Sequence, residues 1–165
     1  MKTYYGKYRG KVEDNKDPLQ KGRLKVSVPS VLGDGNFGWA MPCVSYGGDG
    51  VGSFVLPARG TNVWVEFEAG NPDKPIWTGC FWSEGQVPAK PAVEQTKVFS
   101  SDGVTVTIKE APGGGSLVIE VGPPVVSTPQ KLTFGAKGIV LEHGKAKIML
   151  TQTSVSVNDG ALEVI

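Results

Sequence analysis

Two carboxylate side chains that could do acid–base chemistry, Glu66 and Glu68, stand two residues apart in the sequence. Residues two apart on a β-strand point to the same side, so these carboxylates could in principle act as a general acid and a general base. The same spacing is common on a solvated strand face, or where charges pair between chains. We therefore predict no catalytic role for the pair, and no enzyme activity.

His143 is the single histidine of the sequence. Its neighbours Glu142 and Gly144 supply no nucleophile, so a Ser–His–Asp arrangement is not supported. Three copies of His143 around a symmetry axis could hold a metal, because a ring of imidazoles is a common ligand set. Lys145 stands where a second ligand would be expected. We predict a solvent-facing turn histidine, with a metal site as the alternative, and no cofactor.

Two further motifs are interpreted as structural. Cys43 and Cys80 could form a disulfide, but no secretory signal follows the opening residues, and we predict buried free thiols. Gly113-Gly114-Gly115 lacks the Lys-Ser/Thr pair of a phosphate-binding loop and is predicted to be a hairpin tip. The missing apolar leader predicts synthesis in the cytoplasm without a signal peptide, and no apolar run is long enough for a transmembrane helix.

The composition specifies the elements that would carry these residues. The chain has 165 residues with 23 Gly and 12 Pro, and each of these two residue types weakens helices. Plentiful Val and Thr favour short strands joined by turns. Lys and Arg number 17 against 16 Asp and Glu, so the basic footprint of a nucleic-acid-binding protein is missing. We predict an all-β protein.

The first half alternates in hydropathy as a small barrel would. The turn from Gly70 to Pro75 predicts a closing hairpin, and five strands with long middle loops favour an OB-type barrel. We assign residues 1–83 to this OB-fold domain and residues 84–96, rich in Pro and small polar residues, to a linker. The predicted strands are Tyr4 to Val12, Arg23 to Val28, Gly38 to Tyr46, Asn62 to Glu68 and Ile76 to Trp82.

Residues 97–165 have a different, repetitive pattern, and we assign them to a second domain, the shaft. Pairs of apolar residues spaced two apart recur at steps of 7, 9, 7 and 7 residues, with turn-forming or polar residues between them. Similar, slightly longer groups lie at 104–108 and 117–121. The pairs, predicted to form the core at a trimer axis, are Leu132 and Phe134, Ile139 and Leu141, Ile148 and Leu150, Val155 and Val157, and Leu162 and Val164.

Strands with so few inward side chains cannot enclose a core by themselves. Copies of the same chain could cover the apolar stripe, and a rotationally symmetric trimer forming a β-prism or intertwined β-helix is the natural closed form. A monomeric β-sandwich extension is the alternative. Aromatic residues such as Trp39, Trp64 and Trp82 on an OB barrel also raise single-stranded nucleic-acid binding as an alternative function. Balanced charge and the strand repeat argue against it, and we predict no nucleic-acid partner.

The sequence resembles the phage baseplate protein V and VgrG family of injection spikes. The resemblance begins with Tyr5 to Val12 and Gly22 to Pro29, and continues through Trp39 to Cys43 and Gly52 to Pro57. It is strongest in the block from Gly60 to Gly79, and covers residues 4–82 in all. The residues that match the family pattern are Pro57, Gly60, Val63, Val65, Phe67, Gly70, Pro75 and Gly79.

The resemblance implies a structural spike at the centre of a contractile baseplate, resident in a phage tail, tailocin, type VI-like or extracellular injection particle. It implies a homotrimer, a hub or tube protein as partner, transient contact with a target envelope, and mechanical puncturing. The ending also resembles the blunt tip of spikes capped by a PAAR-type tip protein. The implied tip contacts are Asn158, Asp159, Gly160, Ala161, Leu162, Glu163, Val164 and Ile165.

Overall fold

A computed structural model describes residues 2–165, which fold into strands and turns. The helical content is one four-residue helix, α1 (Pro29–Leu32), and a 3-10 turn at Glu68–Gly70. The all-β prediction is therefore confirmed. The chain divides into two compact units between Gly85 and Gln86, and each is described by itself below.

The first unit is a closed five-stranded barrel, as predicted. Its strands lie in the order β1-β2-β3-β7-β6, and β1 pairs with β6 to close it. Neighbours are antiparallel except for β3 and β7, which run parallel. A two-stranded hairpin of β4 and β5 lies outside this barrel. The strands are β1 (Tyr8–Asp14), β2 (Leu24–Ser27), β3 (Phe37–Pro42), β4 (Gly47–Gly48), β5 (Val51–Gly52), β6 (Asn62–Phe67) and β7 (Pro75–Cys80).

The barrel interior is filled by alternate residues of its strands. On β6, Val63 and Val65 are fully buried, whereas the alternating residues Trp64 and Glu66 are partly exposed. This two-residue period follows from the pleat of an extended strand. The buried core consists of Val12, Leu24, Val26, Val28, Ala40, Val63, Val65, Phe67 and Trp77.

The barrel strands differ from the predicted ones at their ends. The first begins at Tyr8 instead of Tyr4, because Gly6 has a φ of +93° and breaks the extended chain. The third ends at Pro42 instead of reaching Tyr46, and just beyond its end the Cys43 N–H donates to the Trp77 carbonyl at 3.0 Å. The fourth ends at Phe67, so the prediction that Glu68 shares a strand face with Glu66 was wrong.

The loop between β1 and β2 is held in one conformation by hydrogen bonds to the side-chain carboxylate of Asp17. The Asp17 side chain is 3% exposed and accepts a hydrogen bond from Arg23 Nη2 at 2.7 Å. It also accepts from the backbone N–H groups of Leu19 at 3.0 Å and Lys21 at 2.8 Å. The hydrogen bond from Arg23 lowers the pKa of Asp17 well below its usual range. The loop therefore has a fixed shape although it is open to solvent.

The second unit is a single antiparallel sheet of eight strands. Each strand pairs with the next one along the chain, from β8 at one edge to β15 at the other. No residue from 86 to 165 is buried, whereas the whole buried core lies in the barrel. The strands are β8 (Thr96–Ser101), β9 (Val104–Lys109), β10 (Ser116–Val121), β11 (Gln130–Gly135), β12 (Gly138–His143), β13 (Ala146–Leu150), β14 (Val155–Val157) and β15 (Leu162–Val164).

Candidate functional site

The pairing register of the C-terminal sheet aligns its apolar residues into two continuous rows. Directly opposed residues on antiparallel strands lie on the same face of a sheet, and here apolar residues are opposed to apolar residues from strand to strand. Row 1 consists of Phe99, Val106, Ile119, Leu132, Leu141, Ile148, Val157 and Leu162, and row 2 of Ile108, Leu117, Phe134, Ile139, Leu150, Val155 and Val164.

Both rows are open to solvent in the single chain. Leu141 is 51% exposed, and Leu162 and Val164 are each 61% exposed. A contiguous apolar surface of this extent is uncommon on a monomeric soluble protein and marks an interaction site. The two rows are therefore the main candidate functional surface of the second unit.

The opposite face of the same sheet carries paired charges. Glu120 lies opposite Lys131, and their side chains form an ion pair of 3.2 Å. Lys131 in turn lies opposite Glu142, which lies opposite Lys147. We call these four residues the charge ladder. Beside the ladder on this face, Thr133 lies opposite both Val118 and Val140, and Val140 lies opposite Met149. One face of the sheet thus carries the two apolar rows, and the other combines alternating charges with a shorter set of apolar residues.

All ten residues predicted for the trimer axis lie in the two rows, so the structure brings them to one face. That this face surrounds a three-fold axis stays a prediction. The ten residues omit the parts of the rows on β8, β9 and β10, namely Phe99, Val106, Ile108, Leu117 and Ile119. The signal for four of them was the same two-residue spacing, within groups of three apolar residues instead of two.

The predicted tip residues form the last turn and strand of the sheet. Asn158, Asp159 and Gly160 all have positive φ and make a left-handed turn between β14 and β15. The Asn158 side chain accepts a hydrogen bond from the Lys147 N–H at 2.9 Å, and Lys147 Nζ contacts Asp159 Oδ1 at 2.6 Å. Hydrogen bonding to Asp159 raises the pKa of Lys147. Beyond this turn, Ile165 is 97% exposed.

His143 is exposed in the single chain and is the last residue of β12, next to the turn that leads into β13. It lies opposite Gln130 and Ala146 on neighbouring strands. Because it follows Ile139 and Leu141 at two-residue steps, it shares the face of the apolar rows. Within residues 2–165, no three His, Cys, Asp or Glu side chains are grouped so that they could hold a metal ion.

Glu66 and Glu68 are each paired with a different lysine. Lys7 Nζ lies 2.9 Å from Glu66 and also donates to Thr78, while Lys74 Nζ lies 3.5 Å from Glu68. The two carboxylates therefore do not converge on a common point, and the surroundings of each are those of a surface ion pair.

The prediction of buried thiols was wrong. Cys43 and Cys80 are free but exposed, because Cys43 follows the last residue of β3 and Cys80 is the last residue of β7. At these positions the side chains have left the barrel core. Partial desolvation nevertheless raises the pKa of the Cys80 thiol.

Several aromatic residues of the barrel are already engaged within the chain. Trp77 is buried and its indole Nε1–H donates to the carbonyl of Gly22 at 3.3 Å. The Arg9 guanidinium lies 5.3 Å from the Trp64 ring centroid and 4.9 Å from that of Phe81. These are cation–π contacts that stabilise the outer barrel surface.

Comparison with known families assigns both units. Residues 8–82 match the Type VI secretion system/phage-baseplate injector OB domain, and residues 95–163 match the phage baseplate V C-terminal trimerisation domain. The chain is also similar to the Type VI secretion system spike protein VgrG5 of Pseudomonas aeruginosa, with 33% identity over 102 residues. That match covers 58% of this chain and 12% of the relative.

The described part of the chain contains no helix long and apolar enough to cross a bilayer.

The closed barrel lies within the region matched by the injector OB domain, and the amphipathic sheet within the region matched by the trimerisation domain. Together the two matches account for most of the chain, in the order that the family pattern predicts. The chain is therefore a spike-like protein of the VgrG and phage-baseplate type, with an injector OB domain followed by a baseplate V trimerisation domain.

Proposed function

We propose that the chain forms a homotrimeric, non-enzymatic spike at the centre of a contractile injection baseplate, and that it punctures the target envelope mechanically. The observation that carries this proposal is the second unit, which has eight strands, two solvent-exposed apolar rows and no buried residue. A surface of this kind needs a partner to cover it. The matched trimerisation domain supports two further copies of the same chain as that partner.

Strand length is compatible with a triangular prism. A six-residue strand is roughly 20 Å long, and a triangle with sides of that length has its axis about 6 Å from each face, close to half of the roughly 10 Å that separates packed sheets. Three copies of the apolar face would therefore fill the interior with side chains. The strands run across such a prism, and eight of them stack along its axis.

The same strands shorten toward the C-terminus. Strands β8 to β12 have six residues each, β13 has five, and β14 and β15 have three. A prism built from them narrows toward Leu162–Val164, so the proposed spike ends in a small blunt face. The exposed β15 and Ile165 at this end are the proposed contact for a PAAR-type tip protein.

The proposed mechanism is the transmission of force. Sheath contraction drives the trimer forward, the barrel unit receives the load from a hub or tube protein, and the sheet unit meets the envelope. Backbone hydrogen bonds along the whole sheet and buried apolar rows at the axis make the spike stiff, since packed interiors have low compressibility. The working location is an assembled injection particle.

Solution mass tests this proposal. Light scattering on the purified chain is expected to report three times the 17.4 kDa of one chain. A monomer would contradict the proposed spike. Oligonucleotide binding that weakens with salt would instead favour the nucleic-acid alternative, and the proposed spike is expected to show none.

A further inference from the structure

The barrel carries an exposed apolar surface of its own, outside the C-terminal sheet. The segment from Val44 to Leu56, which contains the β4–β5 hairpin, lines a groove of about 590 Å³. Gly22, Pro42 and Trp77 also line this groove. We call it the barrel groove, and its rim consists of Tyr46, Val51, Phe54 and Val55.

The rim is among the most exposed apolar parts of the barrel unit. Phe54 is 76% exposed and Tyr46 is 63% exposed, although both are large aromatic side chains. Val51 and Val55, in the same short segment, are 55% and 59% exposed. Scattered exposed residues need no explanation, but four within ten positions around one concave surface indicate a contact site.

The groove is held in shape before any partner arrives. The Ser53 N–H donates to the Tyr46 carbonyl at 3.0 Å, and a Cβ on Gly52 would lie 2.7 Å from that same oxygen. The side next to Gly22 is fixed by the hydrogen bond from Trp77 and by the Asp17 carboxylate, which accepts from the Lys21 N–H. A surface fixed in this way loses little conformational entropy on binding.

We propose that the barrel groove is covered by the other two copies of this chain, so that the three rims meet around the trimer axis. Every copy of a cyclic trimer presents the same groove, so neighbouring copies can cover it for one another. Among the residues that line the groove, Lys21 alone is charged, so three copies can approach with little repulsion. An acidic or basic rim would have required a partner of opposite charge.

Covalent tethering favours the same occupant. The ten residues 86–95 between the first unit and β8 can span at most about 36 Å. Each barrel of a trimer is thus confined near the other two, at an effective concentration of about millimolar. A modest apolar contact is then occupied without further partners. The inference rests on the proposed trimer.

The exposed thiol of Cys43 provides the test. Cys43 is not itself a lining residue, but its chain neighbours Pro42 and Val44 both line the groove. Neither Cys80 nor its own chain neighbours are among the lining residues. Alkylation of Cys43 is measured in the full-length chain carrying Cys80→Ser, and alkylation of Cys80 in the chain carrying Cys43→Ser. Each alkylation rate is compared with the rate of the same thiol in a chain that also carries Val155→Lys, which is expected to be monomeric. Because each cysteine is compared with itself, the raised pKa of Cys80 does not affect the ratio of the two rates.

Cys43 is expected to react at least about tenfold more slowly in the trimer than in the monomer, since labelling must wait for the contact to open. Cys80 is expected to change less. Phe54→Gln should restore fast labelling of Cys43 while light scattering still reports a trimer. Trp82→Gln is the control, because it removes an aromatic residue that is 64% exposed but lies outside the groove, and labelling of Cys43 should stay slow in this variant.

A trimer in which Cys43 reacts as fast as in the Phe54→Gln variant would overturn this inference and would assign the groove to a different protein. That outcome leaves the proposed spike intact, because the mass is measured separately. A wild-type chain that is monomeric would overturn the proposed spike, and this inference with it.

Discussion

Leu141 lies directly opposite Ile148 on the neighbouring antiparallel strand, and the two side chains are 51% and 39% exposed. An apolar cross-strand pair is ordinarily a unit of sheet stabilisation packed against a second layer. Here no second layer from residues 2–165 covers the pair. Opposed apolar pairs of this kind repeat from β9 to β15. The sheet therefore has one face with the composition of a protein core and no packed layer over it.

The first prediction compares two neighbouring residues on opposite faces of β14. Val155→Lys places a charge in apolar row 2 and is expected to abolish the trimer, because an unpaired buried charge is strongly unfavourable. Ser156→Lys places the same charge on the other face, opposite Glu163, and should leave the mass unchanged. Light scattering measures both variants, and Ile148→Lys should behave like Val155→Lys. A stable Val155→Lys trimer would contradict the assignment of the rows to the axis.

The second prediction concerns the turn between β11 and β12. Gly138 has a φ of +120°, and a Cβ there would overlap the carbonyl oxygen of Leu150 on β13. Gly138→Ala should therefore lower the free energy of unfolding by about 1–3 kcal/mol through strain and loss of strand pairing. Gly122→Ala is the matched control, because its Cβ would meet nothing within 4 Å. Thermal melting of the two variants gives the comparison, and equal melting temperatures would refute it.

The third prediction is a pH dependence of the barrel. The pKa of Asp17 is lowered in the folded chain, chiefly by Arg23, so the carboxylate stabilises the fold above its unfolded pKa. That contribution is lost as pH falls below about 4 toward the folded pKa. Asp17→Asn should melt at a lower temperature at pH 7 and should show a weaker dependence between pH 4 and 2. The exposed Asp34→Asn is the control, and should follow the wild type at both pH values.

The fourth prediction tests the charge ladder. Lys131→Glu puts a carboxylate opposite both Glu120 and Glu142, and like charges at directly opposed positions are destabilising. Because the side chains of Lys131 and Glu120 are 41% and 49% exposed, the coupling between them should be only about 0.2–1 kcal/mol. A double-mutant cycle with Glu120→Lys measures it by chemical denaturation at low salt. A zero coupling energy would show that the ladder does not stabilise the strand register.

Much of the fold could be predicted because short-range patterns determine it. The two-residue period of Val63 and Val65 specifies which side of β6 is buried, and Gly and Pro mark the turns. Element ends were less predictable. Extended chain joins a strand only where a neighbouring strand offers it a hydrogen-bonding partner, and the sequence near Tyr4 or Val44 does not show whether one is present. The Tyr4 N–H, for example, donates to the Gly70 carbonyl and not to a neighbouring strand.

Exposure was also poorly determined by sequence. Cysteine is usually among the buried residues, yet Cys43 and Cys80 lie at strand ends where the barrel opens. The β4–β5 hairpin and the groove beside it gave no periodic signal, because the segment is rich in glycine and its strands have two residues each.

The sequence by itself determined that residues 97–165 form short strands with one apolar face each, because the side-chain period of two is a property of the extended backbone. The tertiary structure alone decided that these faces join. Pairing of Leu132 with Leu141, and of Ile148 with Val157, is a matter of register between strands. A shift of one residue would move an apolar pair to the opposite face. The continuous apolar face therefore depends on the hairpin turns that fix this register.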